Sequence, residues 1–197
     1  MDERRVSALA EHVEAESLAA LFDLASPSVH EALGLEYLRV GGGVAAVANA
    51  GPMQRQWSRA VGFGWAEPIT DDIVDQVCDL NRRHGAQEVW FQVSPWVRGE
   101  WETTLETHGF TPDLTWTKYV RDTSPPPDAF TVLRVRQLTA ADAHEYADVY
   151  AEGTCADSVN AQVAASVREW ALGQFGSSDW KVFGAFDDER MVGCASM

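Results

Sequence analysis

A turn rich in glycine and carboxylates, GFGWAEPITDD at residues 62–72, holds the first side chains that could carry chemistry. Glu67 could act as a general base, because a well-placed carboxylate can accept a proton from a substrate. Glycines that precede a helix can also let backbone N–H groups approach a phosphate. A lone GxG is equally typical of a strand bulge or of tight packing, and a solvated turn carboxylate is the simpler interpretation of Glu67.

The other reactive side chains are scattered singly along the chain. His84 and His108 each precede a glycine that can end a helix, a position that favours interaction with the helix dipole over catalysis. His144 and Glu145 are neighbours in sequence and do not share a helix face, which argues against a catalytic dyad. Cys155 has no evident base in the sequence, so we predict a small buried thiol.

Composition restricts the class of protein. The formal net charge of −15 is spread along the whole chain, which argues against binding to nucleic acid or to an anionic membrane surface. The three cysteines form neither a CxxC pair nor a Cys/His cluster, so we expect no disulfide framework and no metal site. The charged N-terminus does not resemble a signal peptide, and no apolar run approaches the ~20 residues of a membrane span. These features predict a cytoplasmic globular protein.

The elements that must position these residues follow from the apolar spacing. One or two amphipathic helices are predicted over residues 3–24, followed by a short helix that Ser26 caps and Gly34 ends. A hairpin is predicted around Gly41-Gly42, and a further strand over residues 56–66. The apolar residues expected to be buried in the first helical region are Val6, Leu9, Val13, Leu21 and Leu24.

The strongest helix prediction begins at Thr70 as N-cap and ends at Gly85, with an acidic first turn and a basic last turn. A buried strand is predicted over residues 88–93, so that strand, helix and strand form a right-handed βαβ unit with parallel pairing. A further helix is predicted to end at Gly109, with one or two strands over residues 110–122. The buried face of the first of these helices is predicted to hold Ile73, Val74, Val77 and Leu80, and Trp90 and Trp116 are predicted core residues.

A proline-rich segment, TSPPPDAF at residues 123–130, predicts a stiff extended linker. The pattern of strands and helices restarts after it. The predicted elements are a strand over 131–138, a helix from the N-cap Thr139 to Gly153, a helix over 160–175, and strands over 180–186 and 190–197.

This order of elements resembles a Gcn5-related N-acetyltransferase (GNAT) domain. The segment LETHGFTPDLTWTKYVRD resembles the end of such a domain, and LRVRQLTAADAHEYADVY resembles its opening strand and first helix. The segments GGGVAA and GFGWAEPITDDIVDQV resemble bacterial members with two tandem units. The resemblance implies an α+β fold with a GNAT-like mixed sheet and flanking helices. It implies a degenerate unit at residues 1–122, a linker at 123–130 and the N-terminal half of a second unit at 131–197.

The resemblance also implies an activity, which is transfer of an acetyl group from acetyl-CoA to a small-molecule amine. The family holds the cofactor with an Arg/Gln-x-x-Gly-x-Gly/Ala turn, and the matching segment here is AEPITDD at residues 66–72, without glycine or base. The tyrosine that often serves the family as general acid is matched by Leu105, and an asparagine that helps to hold the cofactor is matched near Arg98. We therefore expect the first unit not to bind acetyl-CoA in the family manner.

Four residues are the candidates for a pocket in the first unit: Gly64, Trp65, Ala66 and Glu67. Trp65 ends the strand at which the family separates two strands to admit the cofactor. The resemblance places the cofactor strand, the phosphate turn and the general acid of the second unit beyond Met197, so we expect this chain alone to be inactive. The alternative is a non-catalytic module that binds a small molecule near Trp65 or self-associates through an uncovered strand edge.

Overall fold

A computed structural model describes residues 2–49, 54–86, 88–97, 99–120, 124, 131–155 and 160–197. These residues form a mixture of helices and antiparallel sheets, which confirms the α+β class. They divide into two compact units, the first drawn from residues 1–22, 35–49 and 54–122, and the second from residues 23–34 and 123–197. The predicted linker at 123–130 lies outside the described residues apart from Ser124.

The described helices and strands are short, apart from the first helix. No helix in the described ranges combines the length and the apolar character that a membrane span requires. In chain order the elements are α1 (Glu3–Asp23), α2 (Pro27–Leu33), β1 (Glu36–Val40), β2 (Gly43–Val47), α3 (Gln54–Trp57), β3 (Ala60–Val61), α4 (Asp71–Arg83), α5 (Trp101–Thr107), β4 (Arg134–Gln137), α6 (Ala143–Cys155), α7 (Ala161–Gly173), β5 (Val182–Asp187) and β6 (Arg190–Ser196).

Helix α4 forms as its sequence predicts. The side chain of Thr70 accepts the backbone N–H of Ile73 at 3.4 Å, so one of the free donors at the start of the helix is satisfied. His84 is the C-cap, and Gly85 follows it with a φ of +68°. The predicted apolar face, formed by Ile73, Val74, Val77 and Leu80, is buried in the core of the first unit.

The sheet of the first unit is an antiparallel arrangement in the order β1-β2-β3. The predicted hairpin is confirmed, and its turn places Gly41 and Gly42 at φ values of +59° and +73°, which glycine adopts without steric cost. The predicted strand over residues 56–66 is mostly wrong. The first residues of this segment belong to helix α3, and strand β3 has only two residues. Gly62 and Gly64, which follow β3, have positive φ values and end the extended conformation.

In the described residues, the parallel strand pairing of the predicted βαβ unit consists of one bridge, between Ala60 and Phe91. The N–H of Ala60 donates to the carbonyl of Trp90 at 2.7 Å, and the N–H of Gln92 donates to the carbonyl of Ala60 at 2.8 Å. Helix α4 lies between the two bridged segments in the chain, so the order strand, helix, parallel partner is kept. The described residues around the bridge form no strand beyond it, so the strand predicted over residues 88–93 is wrong.

Helix α1 buries a different face from the predicted one. Leu9 and Val13, expected inside, are 62% and 53% exposed. The buried positions include small alanines, which allow close packing: a methyl group on Gly62 would lie only 2.9 Å from Cβ of Ala15. The residues of α1 that are buried are Glu11, Ala15, Leu18, Ala19 and Phe22.

The segment after α5 also departs from the prediction. Gly109 follows the helix with a φ of +82°, as a helix-ending glycine should. Residues 110–120 then form neither helix nor strand, so the strands predicted there are wrong for the described part of that segment. Trp116 is 50% exposed and is therefore not a core residue.

In the second unit the predicted strands pair in the order β4-β5-β6, all antiparallel. Thr139 and Asp142 form a capping box just before α6. The helix continues through Gly153 to Cys155, so the prediction that this glycine ends it is wrong. One buried hydrophobic cluster of this unit contains Leu138, Tyr146, Ala147, Ala171, Val182, Phe186 and Met191.

Helix α2 belongs to this second unit, where it packs against α7. Ser26 caps the helix by accepting the N–H of Val29, and Gly34 ends it with a φ of +60°, as predicted. The Ser26 hydroxyl also donates to Glu169 of α7 at 2.6 Å. The backbone approach is close, because a methyl group on Gly173 would lie 2.7 Å from the carbonyl oxygen of Leu24.

Candidate functional site

The candidate pocket residues lie in the loop that connects β3 to α4. Gly62 and Gly64 hold φ values of +80° and +82°, and Phe63 between them is buried. Trp65 is half-buried, whereas the two residues after it are exposed. The structure therefore places the four predicted residues Gly64, Trp65, Ala66 and Glu67 together, between the end of a strand and the start of a helix.

Neighbouring side chains close this loop at two points. A methyl group on Gly64 would lie 2.4 Å from Cγ1 of Val97, a buried residue. A methyl group on Gly42, in the β1–β2 turn, would lie 2.4 Å from Cβ of Ala66. Both distances are far below van der Waals contact, so the glycines are required for the chain to pack this closely. Neither point has room for a further group.

Aromatic packing fills the region next to the parallel bridge. The ring centroids of Phe63 and Phe91 lie 5.4 Å apart, and those of Phe91 and Phe110 lie 5.3 Å apart, both in edge-to-face geometry. Such pairs are typical of a hydrophobic core. Since Phe91 is also the bridge residue, this side of the bridge is packed with apolar rings.

Trp65 is covered on one face by the protein's own cation. The guanidinium of Arg4 lies 5.5 Å from the centre of the indole ring, in a cation–π contact, and its Nε donates to the carbonyl of Trp96 at 3.5 Å. The indole Nε1 of Trp65 is buried and has no hydrogen-bond partner among the described residues. A buried donor without an acceptor costs free energy, so this atom is the feature of the loop that a ligand acceptor could best satisfy.

The negative charges at the start of α4 would repel a phosphate. Its first turn carries Asp71 and Asp72, and Glu67 stands four residues before them. The cap position is already filled by the Thr70 hydroxyl. A pyrophosphate needs N–H donors and positive charge at this place, whereas the sequence supplies three carboxylates. The residues of this turn therefore do not fit a pyrophosphate.

The histidines near α4 pair with carboxylates at or near helix ends. His84 Nε2 lies 2.5 Å from a carboxylate oxygen of Glu36. His108 Nδ1 lies 2.8 Å from the carbonyl of Thr104, and its Nε2 faces Asp75 at 3.6 Å. His108 therefore contacts a carbonyl at the end of its own helix, as predicted, whereas the partner of His84 is a carboxylate of strand β1.

Three further positions named from the sequence are Cys155, Leu105 and Arg98. Cys155 is buried as predicted, and burial raises the pKa of its thiol, which is the reverse of what a nucleophile needs. Leu105, which the resemblance matches to the family's general acid, is a buried core residue. Arg98 lies outside the described residues. Within the described ranges, no group of three or more His, Cys, Asp or Glu side chains is arranged to hold a metal ion.

The first unit contains a charged cluster that the sequence did not predict. The ammonium of Lys118 lies 2.5 Å from Glu11 and 2.5 Å from Glu14. Arg59 lies 2.8 Å from Glu14, and donates to Gln92 at 3.2 Å. The two glutamates are three residues apart on α1, a spacing visible in the sequence, but their cation comes from 107 residues further along the chain.

The cluster is partly shielded from water, and the pKa of Glu14 within it differs from its ordinary value. Burial acts to raise the pKa of Glu14, but the hydrogen bond from Lys118 and the charges of Arg59 and Lys118 outweigh it, so the pKa is lowered. The guanidinium of Arg59 also lies 5.3 Å from the ring centre of Trp116. Opposite charges, a stacked aromatic ring and the amide of Gln92 thus form one connected polar network.

Comparison with known proteins adds no assignment: no family model, no curated protein and no solved structure matches this chain.

Proposed function

We propose that this chain is an acetyltransferase-like protein of the tandem type, in which the first unit is non-catalytic and takes up no acetyl-CoA. Acetyl transfer from acetyl-CoA to a small-molecule amine is then the activity of the full-length relative and not of the first unit. A reducing, cytoplasmic setting is part of the proposal, because Cys78, Cys155 and Cys194 are all free thiols.

The order of elements supports the acetyltransferase-like part of the proposal. The first unit contains a hairpin, a short strand, a helix and a segment that bridges back in parallel to the strand. The second unit runs strand, helix, helix and hairpin from residue 134 to residue 196, which is the order in which domains of this family begin. Each order alone is common among α+β proteins.

The loop at residues 62–72 supports the non-catalytic part and is the observation that carries the proposal. It occupies the place between strand and helix where a phosphate turn would lie, and its chemistry is the opposite of what a phosphate needs. Val97 lies against Gly64 and leaves no room for a ligand group there. The turn carries carboxylates, whereas the family has a basic residue and glycines in its phosphate turn. Both features support the proposal that acetyl-CoA does not bind in this loop, one through steric contact and the other through charge.

Calorimetric titration of the full chain with acetyl-CoA tests the proposal. We expect no heat of binding at concentrations of about 100 μM, with free adenosine 3′,5′-bisphosphate as a control for nonspecific phosphate binding. Micromolar binding together with reduced amide exchange at residues 62–72 would overturn the proposal. Binding with protection confined to residues 131–197 would place the cofactor on the second unit and leave the first unit non-catalytic.

A second candidate function is self-association through strand β6. Lys181 and Met197 exchange both backbone hydrogen bonds, at 2.7 and 2.9 Å. In two antiparallel strands, hydrogen-bonded and non-hydrogen-bonded residue pairs alternate. Since Lys181 and Met197 form a hydrogen-bonded pair, the backbone N–H and C=O groups of Cys194 and Ser196 point away from β5. In the described residues β6 is an edge strand, and Val192 on it is 46% exposed. An edge of this kind can pair with a second copy.

Analytical ultracentrifugation over a wide concentration range tests this second function. The expected result is a dimer that the substitution Val192→Lys weakens, since a charge on an edge strand opposes pairing. Glu189→Lys is the matched control, because Glu189 lies beyond the strand and is 98% exposed. A strict monomer at every concentration would exclude self-association.

A further inference from the structure

Residues 110–120, here called the strap, are the segment of the first unit that follows α5. They form no helix and no strand, and all of them after Phe110 are exposed. Phe110 fixes the start of the strap by packing on Phe91. Two side chains near its end, those of Trp116 and Lys118, bind distant parts of the unit.

Lys118 makes the more consequential of these two contacts. Its ammonium contacts both Glu11 and Glu14, whose side chains are only 6% and 23% exposed. A carboxylate as deeply buried as Glu11 is costly unless a cation accompanies it. The cation here is supplied by an otherwise exposed segment, so the position of the strap and the charge balance of the cluster depend on each other.

We propose that the strap is a releasable cover, locked by Lys118, whose departure exposes the polar cluster of Glu11, Glu14, Arg59 and Gln92. Release breaks the ion pairs of Lys118 and the cation–π contact of Trp116, and the described strap residues belong to no β-ladder, so it can occur without unfolding the core of the unit. The inference goes beyond the proposed function, because it assigns to the first unit a polar surface that opens and closes.

The lock is electrostatic, so its strength depends on acid and salt. Glu14 is faced by Lys118, by Arg59 and by the neutral amide of Gln92, and Glu11 by Lys118. Because the pKa of Glu14 is lowered in the closed state, its contribution is complete above the ordinary value of 4.5. It is lost as the pH falls through the lowered pKa. Added salt screens the more exposed part of the lock.

Carboxyl footprinting with mass spectrometry tests the strap on the full chain. A carbodiimide and glycine ethyl ester label accessible carboxylates, and the modification rate of Glu11 is the readout. In Lys118→Gln we expect this rate to rise by about tenfold or more, because the charged hydrogen bonds are gone. Lys118→Arg keeps the charge and should stay within about twofold of the parent chain.

Two internal controls separate release of the strap from general unfolding. The labelling rate of Glu189, 98% exposed, should be the same in every variant, and amide exchange in α4 should be unchanged. Continued protection of Glu11 in Lys118→Gln would overturn the proposal. It would also be overturned if exchange in α4 accelerated together with Glu11 labelling, since the segment would then be part of the core.

Discussion

A buried hydrogen bond in the second unit allows a sharp test of its packing. Tyr146 and Gln174 are 0% and 1% exposed, and the tyrosine hydroxyl donates to Oε1 of Gln174 at 2.9 Å. Tyr150 stacks on the same ring, and Phe175 meets it edge to face. Burial raises the pKa of Tyr146, so the hydroxyl stays protonated and keeps its role as donor. Tyr146→Phe removes this hydroxyl and leaves the ring contacts in place.

The expected loss of unfolding free energy depends on which buried polar group each substitution leaves without a hydrogen-bond partner. Tyr146→Phe leaves the buried oxygen of Gln174 without a donor, at a cost of about 1–3 kcal/mol. Gln174→Met leaves the buried Tyr146 hydroxyl without this acceptor, at a similar cost of about 1–3 kcal/mol. The double variant removes both polar groups, so its cost should be smaller than the sum of the two single costs by about 1 kcal/mol or more.

Amide hydrogen exchange of α6 and α7 measures these costs within the second unit. Since about 1.4 kcal/mol corresponds to a factor of ten, Tyr146→Phe should accelerate exchange there by about 5- to 150-fold. Exchange in α4, which lies in the first unit, is the control for changes elsewhere. Strict additivity of the two substitutions would refute the reasoning, because it would show that the two side chains do not stabilise each other.

Two further substitutions probe a cap and the candidate loop. Asp142→Asn removes a carboxylate that accepts from Arg136 and from the N–H of Thr139, and should accelerate exchange in α6 by up to about fivefold at pH 7. Because Arg136 holds the pKa of Asp142 well below its ordinary 3.8, the stabilisation is present above that value. The difference between variant and parent should therefore shrink as the pH falls below about 3.8. Gly64→Ala should destabilise the first unit by at least about 1 kcal/mol, because of its positive φ and its contact with Val97. Val97→Ala in the same chain should restore part of that loss in thermal unfolding, and a complete absence of rescue would contradict the contact argument.

Elements governed by neighbouring residues could be predicted from the sequence. Helix α4 carries its own cap at Thr70, its own dipole partners and a regular apolar face, so nothing distant is needed to specify it. The same holds for the helix that Ser26 and Gly34 delimit, and for the turn at Gly41-Gly42. In each case a side chain or a glycine satisfies a backbone requirement within a few residues.

Features that depend on distant partners could not be predicted in this way. The buried face of α1 includes Glu11, which apolar spacing rejects, because its cation Lys118 comes from the far end of the unit. The strand expected over residues 88–93 contributes a single bridge, since β3 offers it only two residues. The sequence places the candidate loop between a strand and a helix, but its contact with Val97 is visible only in the packed structure.

Helix α2 has to wait for partners that are synthesised much later. Val29 and Leu33 are fully buried, and the hydrogen bond from Ser26 to Glu169 spans 143 residues. At about 5–20 residues per second on the ribosome, this separation corresponds to a delay of roughly 7–30 s. A seven-residue helix is not stable in isolation, so during that interval this segment has neither its helical structure nor a cover for Val29 and Leu33.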